Sequence, residues 1–411
     1  MSDFRAFVVF FRHIPQHVSR LWHSFMRVTG KVFLSVGGRW VLSAIVAVLL
    51  LAGDYLLDNC PYPVLDEVDT LAMIELVSGR VAHAADDSVL YLNVAYDKAL
   101  APVTDDFGDT IGSTVITDRV RLLHLLEVAA KADYRFLVLD VRFEPGMSTP
   151  VDSALWVAMA RLPRFAYSAH SEGGNAADST TEHAAAISDY GATLTTGFTR
   201  WQYLQDAGAS MPLTMYRTLD GGDIRRHGWF YTDSGRLCRN TLFIPLPSDM
   251  LLPEREDGQI RYPLLGSQVM RWNSDAELAG MMKDRIVVVG DFENDMHDTY
   301  IGSVPGPALI SCAYGELHRG RHLVNWWFML LVGVIYAAIC YRVLSATPIW
   351  QRFAWVKRHP AIGTLLSFIG WEFVLSVLSI AMYLIFAESF ITFLPAVTFT
   401  ALDWMRHHVE E

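Results

Sequence analysis

The chain has 411 residues, 52% of them hydrophobic, and a formal net charge of −11. That is too apolar for an ordinary soluble enzyme and too polar for a bundle of membrane helices, so a soluble domain joined to a few spans is implied. The acidity is concentrated: residues 58–321 hold 22 basic and 37 acidic side chains, a net of −15, which disfavours nucleic acid and anionic lipid as ligands of that region and suits cations, cationic peptides or sugars.

In chain order, residues 1–39 form a basic segment in which Arg5, Arg12, Arg20 and Arg27 recur among Phe4, Phe7, Val8, Phe11, Leu21, Trp22 and Phe25, broken at Pro15. Such a stripe reads as an interfacial helix on anionic lipid, or as a docking site for a cytoplasmic partner. Residues 40–57 (WVLSAIVAVLLLAGDYLL), 322–344 and 362–387 are each near the roughly 20 residues that cross a bilayer. Residues 390–404 are read as a fourth, shorter span carrying Pro395. No small-x-small cleavage site follows Leu51, so the first span is read as an uncleaved anchor. Basic residues before it, and Arg352, Lys357 and Arg358 in the loop 345–361, mark both segments as cytoplasmic. Residues 58–321 are then exterior, and the tail 405–411 returns inside. Glu372, deep in the third span, costs roughly 2.5 to 3.5 kcal/mol at the bilayer centre if charged. It is expected to face protein, with Thr392, Thr398, Thr400 or a partner helix as its hydrogen-bond partner.

The exterior region alternates. Apolar runs at Val89–Asp97, Phe136–Val141, Arg164–His170 and Arg285–Asp291 read as strands, separated by helical periodicity after a cap at Thr117 or Asp118 and again in VDSALWVAMARL. This predicts an α/β domain with a mainly parallel sheet covered on both faces. Residues 172–191 read as a loop with one short helix, and residues 228–246 as a hairpin turning at Asp233 to Gly235. Of the four cysteines, Cys60, Cys238 and Cys312 fall outside the membrane, an odd set that permits one disulfide without saying which.

Asp97, Asp140 and Asp291 stand at or near the carboxyl ends of strands, the edge where open α/β sheets bind ligands, although acidic strand ends also cap the loops that follow. In GDFENDMHD, Asp291, Glu293, Asp295 and His297 alternate and Asp298 follows. Alternating oxygens suit a divalent cation, but the twelve-residue calcium-loop frame is missing. The loop is therefore read first as a ligand mouth formed by Asp97, Asp140, Asp291, Glu293, His297 and Asp298, and second as a metal site formed by Asp291, Glu293, Asp295 and His297. No nucleophile elbow, phosphate loop, dinucleotide fingerprint or zinc spacing occurs, so no catalytic residue and no organic cofactor are assigned.

One span, an exterior α/β domain and then closely spaced spans resemble the CHASE2 family of bacterial extracytoplasmic sensor domains. FLVLDVRFEPG resembles the family strand ending in Asp-x-x-Phe-x-x-Pro, at Asp140, Phe143 and Pro145. KDRIVVVGDFENDMHDTYIGSVPG and the helix after it resemble the final block, at Gly290, Asp298 and Gly306. Where that helix commonly carries Glu, His and Asn, this chain has Ala308, Ile310 and Cys312. The resemblance implies a bacterial inner-membrane, receptor-like protein with a periplasmic sensor. Family members usually carry a cytoplasmic cyclase or kinase; here only MRHHVEE follows Trp404, so the output is expected from a separate membrane or cytoplasmic protein, or from homo-oligomerisation. An envelope scaffold is the second expectation and a metal-dependent hydrolase the last.

Overall fold

Short continuous apolar runs rich in β-branched residues favour strands buried on both faces, and five of them form the centre of the unit 58–324. The computed structural model describes residues 36–59, 75, 88–105, 107–143, 147–170, 184–190, 197–255, 257–346 and 360–410. Arg5, Arg12, Arg20, Arg27, Cys60, Pro145 and most of the loop 345–361 lie outside the described residues.

The strands used below are β1 (Val89–Asn93), the hairpin β2 (Lys98–Thr104) and β3 (Thr110–Thr117), β4 (Phe136–Asp140), β5 (Phe165–Ala169), β6 (Ala185–Ile187), β7 (Ile286–Gly290), β8 (Met296–Thr299) and β9 (Gly302–Pro305). The helices are α1 (Val36–Asp58), α2 (Arg119–Ala129), α3 (Asp152–Ala160), α4 (Met211–Leu219), α5 (Asp275–Met282), α6 (Gly306–His318), α7 (Trp326–Ser345), α8 (Pro360–Phe386) and α9 (Phe393–Glu410). The central sheet has the order β1, β7, β4, β5, β6, and every neighbouring pair is parallel.

Side chains alternate across a strand, and here each side finds its own core. Tyr91, Phe136, Val138, Ile286 and Val288 pack with α4 and α6, whereas Leu90, Leu92, Leu137, Leu139, Val287 and Val289 pack with α2, α3 and α5. Each large aliphatic side chain buried this way stabilises by about 1.5 to 3 kcal/mol. Asp118, one of the two caps the sequence offers, closes α2 by accepting from the amides of Val120 at 2.9 Å and Arg121 at 3.3 Å. The Arg119 guanidinium, 3% exposed, lies 4.3 Å over the Phe143 ring and 3.6 Å from Asp152, so the Asp-x-x-Phe strand end is pinned to both covering helices.

Several readings change. Of residues 172–191, those described at 184–190 contain β6, a strand the sequence did not suggest, and the other positions of the expected loop and short helix lie outside the described residues. The first apolar run pairs only to Asn93, and the chain then enters the hairpin of β2 and β3. The hairpin expected at Asp233 to Gly235 is present, with Ser234 and Gly235 at φ 49° and 81°. Cys238 and Cys312 carry free thiols, both pushed up to about 12 by burial, and Cys312 Sγ sits 3.6 Å from Met250 Sδ.

In the second unit, three helices among the described residues are long and apolar enough to cross a membrane: Val36–Asp58, Trp326–Ser345 and Ala361–Phe386. The fourth span expected at 390–404 is corrected. That stretch becomes part of α9, whose apolar run ends at Leu402 before Asp403 and Arg406, an ion pair at 3.2 Å. Ten residues of helix from Phe393 span about 15 Å, half of the roughly 30 Å hydrocarbon core. Ala396, Phe399 and Leu402 nevertheless pack with α7 and α8 in one core. The second span also starts later than expected, at Trp326, because His322 (0% exposed) and Val324 (5%) are buried within the unit 58–324.

Candidate ligand site at the carboxyl edge of the sheet

Parallel strands deliver all their carboxyl ends to one edge, and the residues that follow them meet there. β4 ends on Asp140, His170 follows β5, and Ser188, Asp189 and Tyr190 follow β6. After β7 the chain turns through residues 291–295, placing Asp295 just before β8 and His297 on it, while β9 leads into Gly306 at the start of α6. Asp140, His170, Ser188, Asp189, Tyr190, Asp295, His297 and Gly306 line one cavity of about 100 Å³, closed by Trp201, Leu309 and Ile310.

Two imidazoles are each matched to a carboxylate. His170 Nδ1 donates to Asp189 Oδ1 at 2.7 Å, and His297 Nε2 donates to Asp295 Oδ1 at 3.1 Å, with the Tyr190 hydroxyl 2.9 Å from His297 Nδ1. These hydrogen bonds raise both histidines above their usual value against the opposing effect of burial. Asp140 has no such base. Burial, and then the neighbouring Asp295 charge, push its carboxyl up to about 7, offset in part by the Ser168 hydroxyl and by His170 and His297. Burial raises Tyr190 as well, with Asp295 and Asp298 adding to it.

Two glycines make the close approach feasible. A Cβ on Gly306 would overlap Asp295 Oδ2 and come within 2.9 Å of His297 Nε2, so only glycine lets this pair lie over the first turn of α6. A Cβ on Gly290 would overlap the Pro307 ring and approach the Asp140 carbonyl to 3.2 Å. The α6 end has few donors to offer an anion: Pro305 and Pro307 have no N–H, and Gly306 N donates to the Asp295 carbonyl at 2.8 Å.

The residues named from sequence therefore separate. Asp140, Asp295 and His297 converge on the cavity. Asp97 (4% exposed) is engaged by the Arg121 guanidinium and accepts from Gly266 N at 3.0 Å, which ties the turn between β1 and β2 to α2 and to the segment at Gly266. Asp291 accepts from Lys98 Nζ at 2.8 Å and from the amides of Glu293 and Asn294 at 3.1 and 2.8 Å. Burial works upward on the Asp291 carboxyl, but Lys98, Asn294 and those amides hold it below the usual carboxylate range. Glu293 accepts from Asn93 Nδ2 at 3.3 Å. The Asp298 side chain is exposed, and its backbone contributes instead, pairing with Ser303 and accepting from Phe198 N at 2.6 Å. The alternating run thus divides between two places, and among the described residues no group of three or more His, Cys, Asp or Glu side chains is arranged to hold a metal ion.

Sequence reasoning missed His170, Ser168, Asp189, Tyr190 and Trp201. His170 carried a usable signal, since it directly follows a strand as Asp140 ends one; the others had none, lying in a segment read as irregular or inside short strands. A larger cavity, about 170 Å³, lies at the opposite edge against Ser88, Val89, Arg135 and Ile286. Its charged lining is largely spoken for, with His318 on Asp220 at 2.8 Å and Arg319 on Glu316 at 2.5 Å, and the residues just before Ser88 lie outside the described ones. The carboxyl-edge cavity is the better candidate because unmatched chemistry meets there.

No family model matches the chain, and no curated protein and no solved structure is similar to it.

Proposed function

We propose that this is a membrane-anchored, receptor-like protein of CHASE2 type, in which the unit 58–324 binds a small polar ligand at the carboxyl edge of its sheet. The carrying observation is the convergence of Asp140, His170, Asp189, Tyr190, Asp295 and His297 on one cavity. The membrane helices, joined to this unit by continuous chain at Asp58 and Val324, pass its occupancy to a separate protein. The bacterial inner membrane is the site, with the acidic unit periplasmic and the basic segments 1–39 and 345–361 cytoplasmic. The distribution of Lys and Arg supports this orientation. A ligand acts by binding one of two states more tightly, and its effect is bounded by that difference.

A scaffold role in an envelope complex is the second reading, favoured by the burial of Ala308 (0% exposed) and Ile310 (1%) in the core where family members carry polar residues. The hydrolase reading loses support because Asp291 and Glu293 are engaged away from Asp295 and His297.

The test has two arms on the full-length protein in detergent. Small polar molecules are screened by thermal shift against wild type and His170→Asn/His297→Asn, and co-purifying proteins are identified by mass spectrometry. A ligand that raises the wild-type Tm but not that of the double variant, with a near-stoichiometric cytoplasmic partner, is expected. No shift with any probe and recovery with envelope proteins alone would transfer the assignment to the scaffold.

A further inference from the structure

Resting on the ligand-binding reading, we infer that the cavity takes a small zwitterion, a free amino acid with a short side chain, its ammonium on Asp140 and its carboxylate on the indole N–H of Trp201.

Of the three carboxylates that line the cavity, Asp189 and Asp295 each have an imidazole at hydrogen-bond distance, 2.7 and 3.1 Å away. Asp140 has the Ser168 hydroxyl, itself 2.5 Å from Ser188 Oγ, and no cation bonded to it among the described residues. It is the acceptor left for an incoming ammonium.

A second, independent group is unmatched. Trp201 lines the same cavity, is 1% exposed, and its Nε1 has no acceptor among the described residues. A buried donor left without a partner is costly, and an acceptor carried by a ligand would satisfy it. One ligand must therefore bring both a cation and an acceptor. The Tyr190 and Trp201 rings, 6.0 Å apart, offer π faces to the ammonium, and Leu309 and Ile310 give an apolar wall for a short side chain.

Size and charge narrow the class. At roughly 10 to 15 Å³ per water, a space of about 100 Å³ holds about seven to ten non-hydrogen atoms, which includes serine, threonine and aspartate. A phosphate or other dianion would meet three carboxylates and a helix end with two prolines and a committed glycine amide. A divalent ion would find no group of three ligands among the described residues.

The experiment uses the full-length protein in detergent, titrated calorimetrically at pH 7.5 with glycine, L-alanine, L-serine, L-threonine and L-aspartate, and with propylamine and propionate as half-molecules. At least one amino acid should bind at least tenfold more tightly than either half-molecule. Asp140→Asn should weaken that amino acid at least tenfold without changing propionate, and Trp201→Phe should weaken it without changing propylamine. Because a charged Asp140 is required, affinity should rise with pH through about 7, with His170, His297 and Asp295 facing the same carboxyl. Circular dichroism and Tm establish that each variant is folded; if Asp140→Asn is not, Ser168→Ala and Trp201→Phe carry the test. If a neutral polyol or phosphate binds wild type but not His170→Asn/His297→Asn, and no amino acid does, the zwitterion assignment is overturned while the pocket stands. If none of these probes binds, both are overturned.

Discussion

Asp140 stands at the end of a buried strand with its carboxyl held near neutrality, and its linkage to stability has a definite sign. Its folded value, about 7, lies above the ordinary 3.8, so its contribution is fully present below that ordinary value and is lost as pH rises through 7. Asp140→Asn should therefore raise stability by about 2 kcal/mol at pH 5 and by about 4 kcal/mol at pH 8 in urea unfolding followed by tryptophan fluorescence. Equal effects at both pH values would show that the carboxyl is not the titrating group. Gly306→Ala is a complementary probe, because the new methyl displaces Asp295 from His297. It should cost about 1 to 3 kcal/mol and lower the His297 titration midpoint in an NMR titration; an unmoved midpoint would mean that another group raises it. At this scale the sequence was partly legible. It singled out Asp140, Asp295 and His297, but it had no means of separating them from Asp97 and Asp291, whose partners Arg121 and Lys98 are assigned by packing.

Among the elements, the hairpin spanning 230–238 carries a buried polar cluster where the chain leaves the unit. His322 (0% exposed) donates from Nε2 to Asp233 Oδ2 at 2.9 Å, and the Tyr216 hydroxyl donates to the same oxygen at 2.8 Å. Burial lowers His322 below its usual value, against Asp233. A lowered histidine gives stability that is present above pH 6.5 and falls as the pH drops through the folded value. Relative to wild type, His322→Gln should gain stability as pH falls from 7.5 to 5; a difference that does not change over this window would place the acid sensitivity elsewhere. In α8, Glu372 has the Thr392 side chain as hydrogen-bond partner, one of the three threonines the sequence offered. Glu372→Gln keeps that hydrogen bond and should shift detergent stability by less than about 1 kcal/mol. Loss of a co-purifying membrane protein in this variant would mark the carboxylate as a partner contact, and retention would leave it as helix packing.

For the whole molecule, the proposed topology is testable with engineered thiols, since Cys238 and Cys340 are buried. Ser234→Cys, in the exposed hairpin turn, should react with a membrane-impermeant maleimide in cells whose outer membrane alone has been opened, and exclusion of the reagent would reverse the orientation. Three crossings leave residue 411 on the face of the 58–324 unit, so protection of a tag there would show that α9 crosses as well. The sequence by itself determined the three apolar helices and the presence of four strands within its runs Val89–Asp97, Phe136–Val141, Arg164–His170 and Arg285–Asp291, because continuous apolar runs and their length are local properties that any compact solution must bury. It could not supply β6, whose three residues are too few to show a period, nor the failure of residues 390–404 to form a full apolar span, which the ion pair of Asp403 and Arg406 marks. Only the tertiary structure decided that His170, Asp189 and Tyr190 meet Asp295 and His297, more than 100 residues away in the chain. A parallel sheet gathers strand ends from distant segments onto one edge, and which charges remain unmatched there depends on neighbours that no local pattern specifies.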